Sequence, residues 1–314
     1  MISRTVPGLV LAALAAAACG SDGGGGGGGD IDAAPDVVDA AVDAAVPQGF
    51  TRLVGRSWSL PPGASDTYRC VRLTLPTAVT VSEIMAQSPL GTHHTVLSIA
   101  SGSSAGADGE FNCSAGDLGM VMLYASGVGT SPLVFPAGVG MTIPAGTQIH
   151  LNLHLFNTTD NVLSGETQIL VKAPVTPPTQ MAENVFAGSF NIVVPPGATR
   201  TVVGGCTVNR AYKIFALWPH MHQIATHQKI ELIRNGTPMV LHDAPFAFYE
   251  QNYFLQDPEI DVQPGDRLQV SCTYENTTSS TVTFGDSSNQ EMCFAGLYRY
   301  PASGGGNIFE CTGG

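Results

Sequence analysis

The heptapeptide IHLNLHL, residues 149–155, alternates strictly between apolar and polar side chains. Successive side chains of a β-strand point to opposite faces, so the apolar residues would fill a core while His150, Asn152 and His154 share the other face. Residues 68–75 and 267–274 alternate in the same way. No stretch keeps apolar residues at helical spacing, and the sequence therefore predicts half-buried strands.

Turn signals between the strands predict where the chain reverses. Asn235-Gly236 follows the strand predicted at 229–233, and this dipeptide favours a tight hairpin turn. Short strands joined by such turns indicate an all-β fold of antiparallel sandwiches or barrels. The residues that follow position 48 are too numerous for one sandwich and suit two.

We therefore expect two tandem antiparallel β-sandwich, jelly-roll-like domains. The best candidate for a boundary between them is the segment APVTPP, residues 173–178. Its prolines favour extended backbone and cannot donate to a sheet. This boundary gives an N-terminal domain over 49–176 and a C-terminal domain over 177–314.

The N-terminal residues have the pattern of a secretory signal. Arg4 is followed by a short apolar run, residues 10–18, that is too brief to span a bilayer. The run ends on small residues and Cys19, the arrangement that a lipoprotein signal peptidase requires before a lipid is attached to the thiol. The alternative is ordinary cleavage in the same region, which would leave Cys19 unmodified.

We expect an exported, bacterial-type lipoprotein with a signal over residues 1–19. Lipidation of Cys19 would anchor it at the outer membrane, in the periplasm or on the cell surface. Residues 20–48 contain an unbroken glycine run, 23–29, then mainly Asp, Ala and Val, with no aromatic residue. A segment of this composition cannot bury a core, so it predicts a flexible spacer.

The chain has seven cysteines and a formal net charge of −12. Apart from Cys19 they form an even set, which favours disulfides in an exported protein. The members of this set are Cys70, Cys113, Cys206, Cys272, Cys293 and Cys311. The acidic balance argues against nucleic acid as a partner.

Most of the eight histidines lie in three clusters, which are His93-His94, His150 with His154, and His220 with His222 and His227. A lone histidine on a strand is more often an ordinary surface or core residue than a ligand. Three clusters in one chain favour metal binding instead. Copper is favoured over zinc, because disulfides consume the thiolates while imidazole and thioether remain as soft ligands.

These motifs, in this order, resemble the copper type II, ascorbate-dependent monooxygenases, the family of peptidylglycine alpha-hydroxylating and dopamine beta-monooxygenases. Residues 92–97, THHTVL, are similar to the family's paired histidines, and residues 150–154, HLNLH, resemble the strand that carries a third histidine. Residues 219–222, PHMH, are similar to the His-x-His motif of the second domain, and residues 285–293, GDSSNQEMC, to its methionine segment. The resemblance covers most of the chain after the spacer.

The resemblance implies two copper ions per chain. An electron-transfer copper would be bound by His93, His94 and His154. An oxygen-activating copper, at the catalytic site, would be bound by His220, His222 and Met292. The resemblance also implies three disulfides, which are Cys70–Cys113, Cys206–Cys311 and Cys272–Cys293.

The implied activity is hydroxylation of an activated C–H bond of a small molecule with O2, while ascorbate or another one-electron donor supplies electrons. The expected partners are this substrate and O2, with membrane contact only through the lipid anchor and a monomeric chain. Where the peptide-hydroxylating member receives a substrate carboxylate, this chain has Trp218, Phe294 and Gly296. We therefore expect an apolar or aromatic substrate against Trp218 and Phe294, unless both are core residues.

Three histidines, His150, His227 and His242, lie outside the implied ligand pattern. His150 shares a strand face with His154, where it is either an alternative ligand or, as we prefer, a supporting or surface residue. Two other functions compete with the enzyme. One is an exported copper carrier or sensor without turnover, and the other is a structural lipoprotein with incidental histidines. Retention of all the implied ligand positions favours the enzyme, because a carrier needs only one site.

Overall fold

A computed structural model describes residues 38–39, 45–248, 251–304 and 307–313 of the chain. The predicted signal sequence, the lipid anchor at Cys19 and almost all of the predicted spacer lie outside the described residues. Residues 35–314 form one compact unit that contains both predicted domains. The domain boundary near residue 176 stays a prediction.

The described residues consist largely of β-strands and contain no α-helix, which confirms the all-β prediction. None of these residues belongs to a helix long and apolar enough to cross a membrane. The first strands are β1 Val38–Asp39, β2 Phe50–Leu60, β3 Thr67–Thr74, β4 Val79–Val81, β5 Glu83–Gln87, β6 Thr92–Ala100, β7 Gly109–Asn112, β8 Val121–Ser126, β9 Leu133–Val134, β10 Val139–Ile143, β11 Gln148–Leu155 and β12 Leu163–Lys172. A short 3-10 turn, Gly102–Ser104, lies between β6 and β7.

The second half of the chain adds twelve strands. They are β13 Gln180–Met181, β14 Glu183–Ser189, β15 Val193–Val194, β16 Thr199–Thr207, β17 Tyr212–His220, β18 Ala225–Arg234, β19 Thr237–Pro245, β20 Phe254–Val262, β21 Arg267–Glu275, β22 Val282–Thr283, β23 Cys293–Tyr300 and β24 Cys311–Thr312. The predicted hairpin at Asn235-Gly236 is present, since β18 and β19 pair on either side of it.

The alternating heptapeptide lies in β11, the central strand of a sheet with the order β7-β3-β11-β6-β8. A second sheet, in which β12 pairs with β2 and β5, packs on its apolar face. The polar face is buried as well, because His150, Asn152 and His154 are only 1%, 4% and 4% exposed. The polar face of β11 is therefore covered by other parts of the chain and not open to solvent. Residues 113–120 and parts of the second half cover this face.

The second half repeats the plan of the first. Its sheets hold β14-β23-β17 and β16-β21-β18-β19, as the first half holds β2-β12-β5 and β3-β11-β6-β8. The equivalent strands β11 and β21 end in the same Asn-Thr-Thr turn. Asn157 and Asn276 each accept the N–H two residues ahead at 3.0 Å and donate to the carbonyl four residues ahead at 2.8 Å.

Buried tyrosines join the two halves. The Tyr253 hydroxyl donates to the carbonyl of Ala125 at 2.5 Å and lies 3.3 Å from the Tyr298 hydroxyl. Tyr298 donates to the carbonyl of Leu123 at 3.2 Å, and the ring of Tyr124 stacks on Tyr253 with centroids 5.5 Å apart. Buried phenols need such acceptors. The residue that precedes β20 and the strand β23 are thereby held against β8.

The three predicted disulfides, Cys70–Cys113, Cys206–Cys311 and Cys272–Cys293, are confirmed. The last of them links β21 to the first residue of β23, so it ties together the two sheets of the second half.

Replacing both cysteines of Cys206–Cys311 with serine should cost more stability than the same change at Cys272–Cys293. The bridged residues are 105 and 21 positions apart, and the chain-entropy model assigns about 4.7 and about 3.3 kcal/mol to loops of these lengths. Urea unfolding followed by tryptophan fluorescence measures both losses. A larger loss from the shorter loop would contradict this ranking.

Candidate metal centres

His93, His94 and His154 meet at one end of the sheet that contains β11. His154 pairs with His94, and the next pair is Leu155 with Thr92, so His93 has no partner across the ladder. Such a bulge adds one residue to a strand and redirects its side chain. Neighbouring histidines, which would otherwise point to opposite faces, therefore share one side. One ligand atom from each of the three histidines lies within 4.8 Å of the others.

Hydrogen bonds select the nitrogen that each ring of this first centre leaves free. Nε2 of His154 lies 2.9 Å from Oδ1 of Asp66, and Nε2 of His94 lies 2.8 Å from Nε2 of Gln251. In both His154 and His94, Nδ1 is therefore the ring nitrogen that remains available to a metal ion. Nδ1 of His93 is buried and has no hydrogen-bond partner among the described residues. A buried nitrogen without a partner fits a metal ligand.

Burial keeps the imidazoles of the first centre neutral. It lowers the pKa of His154 to about 4, although the neighbouring Asp66 opposes the shift. Burial also holds the pKa of His94 well below its ordinary value. A neutral imidazole offers a lone pair to a cation. The ring of Tyr68 lies flat on His154, with centroids 4.4 Å apart and an interplanar angle of 3°, and so restrains its orientation.

His220, His222 and Met292 form a second candidate centre, contributed by the second half of the chain. His220 ends β17 and Met292 precedes β23, and these two strands are paired neighbours. The rings of His220 and His222 are 5.2 Å apart. Met292 lines the same cavity as both rings.

The rings of the second centre are held through Nδ1. His220 Nδ1 donates to Oε1 of Gln251 at 2.7 Å, and His222 Nδ1 donates to the carbonyl of Gln290 at 3.0 Å. Each ring then has its lone pair on Nε2. Burial lowers the pKa of His220 to about 3 and lowers that of His222 as well. The two centres thus use opposite ring nitrogens.

Glu291 fixes the backbone around the second centre. Its buried carboxylate accepts the N–H groups of His222 and Ile224, both at 2.9 Å, while burial raises its pKa to about 7. The hydroxyl of Tyr274 donates to the carbonyl of Met292 at 2.7 Å, and Met292 is next to a disulfide cysteine. The thioether is therefore attached to backbone that is restrained on both sides.

Both centres face one cavity of about 340 Å³. His94 and His154 lie on the side of the first half, and His220, His222 and Met292 lie on the side of the second. Most of the remaining wall in the second half is aromatic, with Phe186, Trp218, Phe284, Phe294 and Phe309. The cavity thus gives an apolar molecule access to two groups of candidate metal ligands.

The two predicted substrate contacts, Trp218 and Phe294, line this cavity and are also buried against the core. Trp218 stacks on His220, with centroids 4.6 Å apart and an interplanar angle of 11°. Gly296, which has no side chain, lies beside Trp218. A Cβ added at Gly296 would be 3.3 Å from the Trp218 side chain. The cavity wall at this position is therefore formed by the indole ring of Trp218 and not by a cationic side chain.

The histidines outside the ligand pattern remain outside both centres. His150 is buried, and neither of its ring nitrogens has a hydrogen-bond partner among the described residues. His227 pairs with Asp243 at 3.0 Å near the surface, and His242 packs on the ring of Phe254 at 4.5 Å. His150 does not belong to the triad of the first centre.

Several residues that hold the ligands were not predicted from the sequence. Asp66, Gln251 and Phe248 lie in loops without periodic pattern, so no local signal marks them. Glu291 has a weak signal, because an acidic residue beside Met292 opens a strand that is otherwise apolar. The structure identifies these residues because it brings distant segments into contact.

Part of the chain is similar in sequence to one known protein family. The family model described as "Copper type II ascorbate-dependent monooxygenase, C-terminal domain" matches residues 181–307. "DBH-like monooxygenase protein 2" of Mus musculus is 27% identical over 290 residues, which is 80% of this chain and 45% of that protein. "Tyramine beta-hydroxylase" of Caenorhabditis briggsae is 31% identical over 121 residues, 35% of this chain and 21% of that protein. These matches support the copper type II, ascorbate-dependent monooxygenase family for this chain.

This chain spans about half, or less, of the length of the relatives that it matches. The family depends on copper and ascorbate. The donors of both centres fit copper, since imidazole suits copper in either oxidation state and thioether sulfur selects Cu(I). His93, His94 and His154 would hold it in the first centre, and His220, His222 and Met292 in the second.

Asp66→Ala should weaken copper binding at the first centre by about 10- to 100-fold, because loss of the partner that orients a ligand imidazole typically has this effect. Asp243→Ala is the matched control. It removes a similar His–Asp pair, with His227 as partner, away from both centres. Chelator competition measures the affinities. Equal effects of the two substitutions would contradict the assignment of His154 as a ligand.

The metal-free protein should lose stability as the pH falls from 6.5 towards 4. An unfolded histidine titrates near 6.5, whereas folded His154 is protonated only near pH 4, so the unfolded chain binds more protons in this interval. His154→Asn removes that contribution. The urea midpoint of the variant should therefore fall less than that of the wild type, and equal falls would contradict the buried neutral state.

Proposed function

We propose that this chain is a copper-dependent monooxygenase that hydroxylates an activated C–H bond of a small molecule with O2 and ascorbate or another one-electron donor. The observation that carries the proposal is the shared cavity, which is lined by His94 and His154 of the first centre, by all three candidate ligands of the second and by an aromatic wall. A carrier or sensor would need only one metal site and no such chamber. Each chain would hold two copper ions.

The two centres suit different tasks. The first centre offers three imidazoles, a set that can support either oxidation state, so we assign it to electron transfer. The second centre includes the Met292 thioether, which favours Cu(I), the form that reacts with O2. Copper bound there supplies the redox chemistry of oxygen activation. Burial holds the imidazoles neutral, and hydrogen bonds to Gln290, Gln251 and Asp66 fix their orientation.

The cavity favours an uncharged apolar or aromatic substrate. No lysine or arginine is among the described residues that line it, so a carboxylate would have no cationic partner there. Trp218 and Phe294 are 3% and 2% exposed and provide flat apolar surfaces next to His220. Burial of the substrate against such rings would exclude water from the reacting carbon.

We further propose that the chain is exported and tethered through a lipid on Cys19, with residues 20–48 as spacer, and that it acts as a monomer without nucleic acid. Incorporation of labelled palmitate that is lost in Cys19→Ala would support the anchor. Export without label in the wild type would contradict it.

The copper-loaded protein should consume O2 in the presence of ascorbate and an aromatic or aliphatic C–H donor. His220→Ala should abolish this uptake, because it removes a ligand of the oxygen-activating centre. His242→Ala, outside both centres, is the control and should retain it. Oxygen electrode traces and mass spectrometry of the hydroxylated product measure the outcome. Copper binding without any turnover would favour a carrier, and uptake that persists in His220→Ala would contradict the site assignment.

A further inference from the structure

One buried side chain, Gln251, is bonded to both centres. It is 2% exposed. Its Oε1 accepts the Nδ1–H of His220 at 2.7 Å, and its Nε2 donates to Nε2 of His94 at 2.8 Å. Its backbone carbonyl accepts the hydroxyl of Thr130 at 2.8 Å, which pins this residue of the second half to the first. Gln251 therefore bridges the two centres through one amide group.

The chemistry of an amide sets a limit on this bridge. A neutral imidazole carries one proton, so a ring that binds metal through one nitrogen presents N–H at the other. If both His94 and His220 bind metal on their far side, both present N–H to Gln251. The amide has a single acceptor oxygen here, and its other end is an NH2 group, which cannot accept a hydrogen bond.

The observed hydrogen bonds of Gln251 are compatible with a metal ion bound to only one of the two rings, His94 or His220. The Gln251 oxygen faces the N–H of His220, which leaves Nε2 of His220 ready for metal. The Gln251 NH2 faces Nε2 of His94, whose lone pair it occupies, so the proton of His94 lies on Nδ1, the nitrogen on the side of the first centre. Rotating the amide by half a turn exchanges the roles of the two rings and leaves the conflict unchanged.

We propose that Gln251 couples the two copper centres negatively, so that filling one centre holds the amide in the orientation that opposes filling of the other. This inference rests on the proposed two-copper function. Full loading requires the NH2 group to release His94. The carbonyl of Phe248, 3.4 Å from Nε2 of His94, is then the alternative acceptor for that ring.

The size of the coupling follows from the single hydrogen bond that full loading breaks. A buried hydrogen bond has a net value equivalent to a roughly three- to tenfold change in a dissociation constant. By linkage the effect is reciprocal, because each centre weakens the other by the same factor. The chain should therefore pass through a half-loaded state as copper is added.

The test measures the Cu(I) affinity of the second centre by anaerobic chelator competition, in the full chain with the first centre either filled or disabled. His93→Ala disables the first centre without touching the bridge, since none of the bonds of Gln251 involves His93. The second centre should bind Cu(I) about three- to tenfold more tightly in His93→Ala than in the wild type with its first centre filled.

Gln251→Glu is the decisive variant. A carboxylate of the same shape accepts from both N–H groups, so the affinity difference should disappear while both centres still bind copper. Gln251→Ala, which removes the bridge, should also abolish the difference. Gln256→Glu adds a similar charge at a side chain that donates to the Phe254 carbonyl at 2.9 Å and belongs to neither centre, and it should retain the coupling.

The outcomes separate this inference from the proposed function. Two copper ions bound with no affinity difference in the wild type, or a difference that persists in Gln251→Glu, would overturn the coupling and leave the two-copper assignment intact. Failure of either centre to bind copper in the wild type would overturn both.

Discussion

The positions of the candidate ligands depend on how two sheets of different sandwiches face one another. The outer face of β11 and β6 carries one set, and the ends of β17 and the start of β23 carry the other. The hydroxyls of Tyr253 and Tyr298 bond the backbone of β8, so buried tyrosine side chains anchored on main-chain carbonyls set the spacing. Without this junction each half would keep its own ligands but not the chamber between them.

Burial of these histidines carries a free-energy cost of desolvation. Neighbouring polar groups offset that cost at only one of the two nitrogens of each ring. Asp66, Gln251 and Gln290 satisfy the outward nitrogen of a ring, and burial lowers each ring's pKa. The inward nitrogens of His154, His220 and His222 are left with neutral lone pairs. A core histidine would have partners at both nitrogens, so hydrogen bonding at one nitrogen only is consistent with these rings as candidate ligands.

The two halves share a plan but not a ligand arrangement. The bulge at His93 recurs in β18, where Ala225 pairs with Tyr274 and His227 with Thr273, so that Thr226 is skipped. The equivalents of the first triad are therefore Thr226, His227 and Thr273, which retain a single imidazole. The second half instead places its ligands on the other sheet. Because those two sheets face each other, both centres reach one cavity.

The sequence by itself determined the all-β fold, the disulfide framework through its family resemblance, and the histidines and methionine that became candidates. Alternation and ligand chemistry are local properties, and local pattern reveals them. Only the tertiary structure decided that β11 is buried on both faces, that a bulge turns His93 beside His94, and which ring nitrogens are free. Those features depend on Asp66, Gln251 and Glu291, which lie far from their partners in sequence and meet them only when the sheets pack.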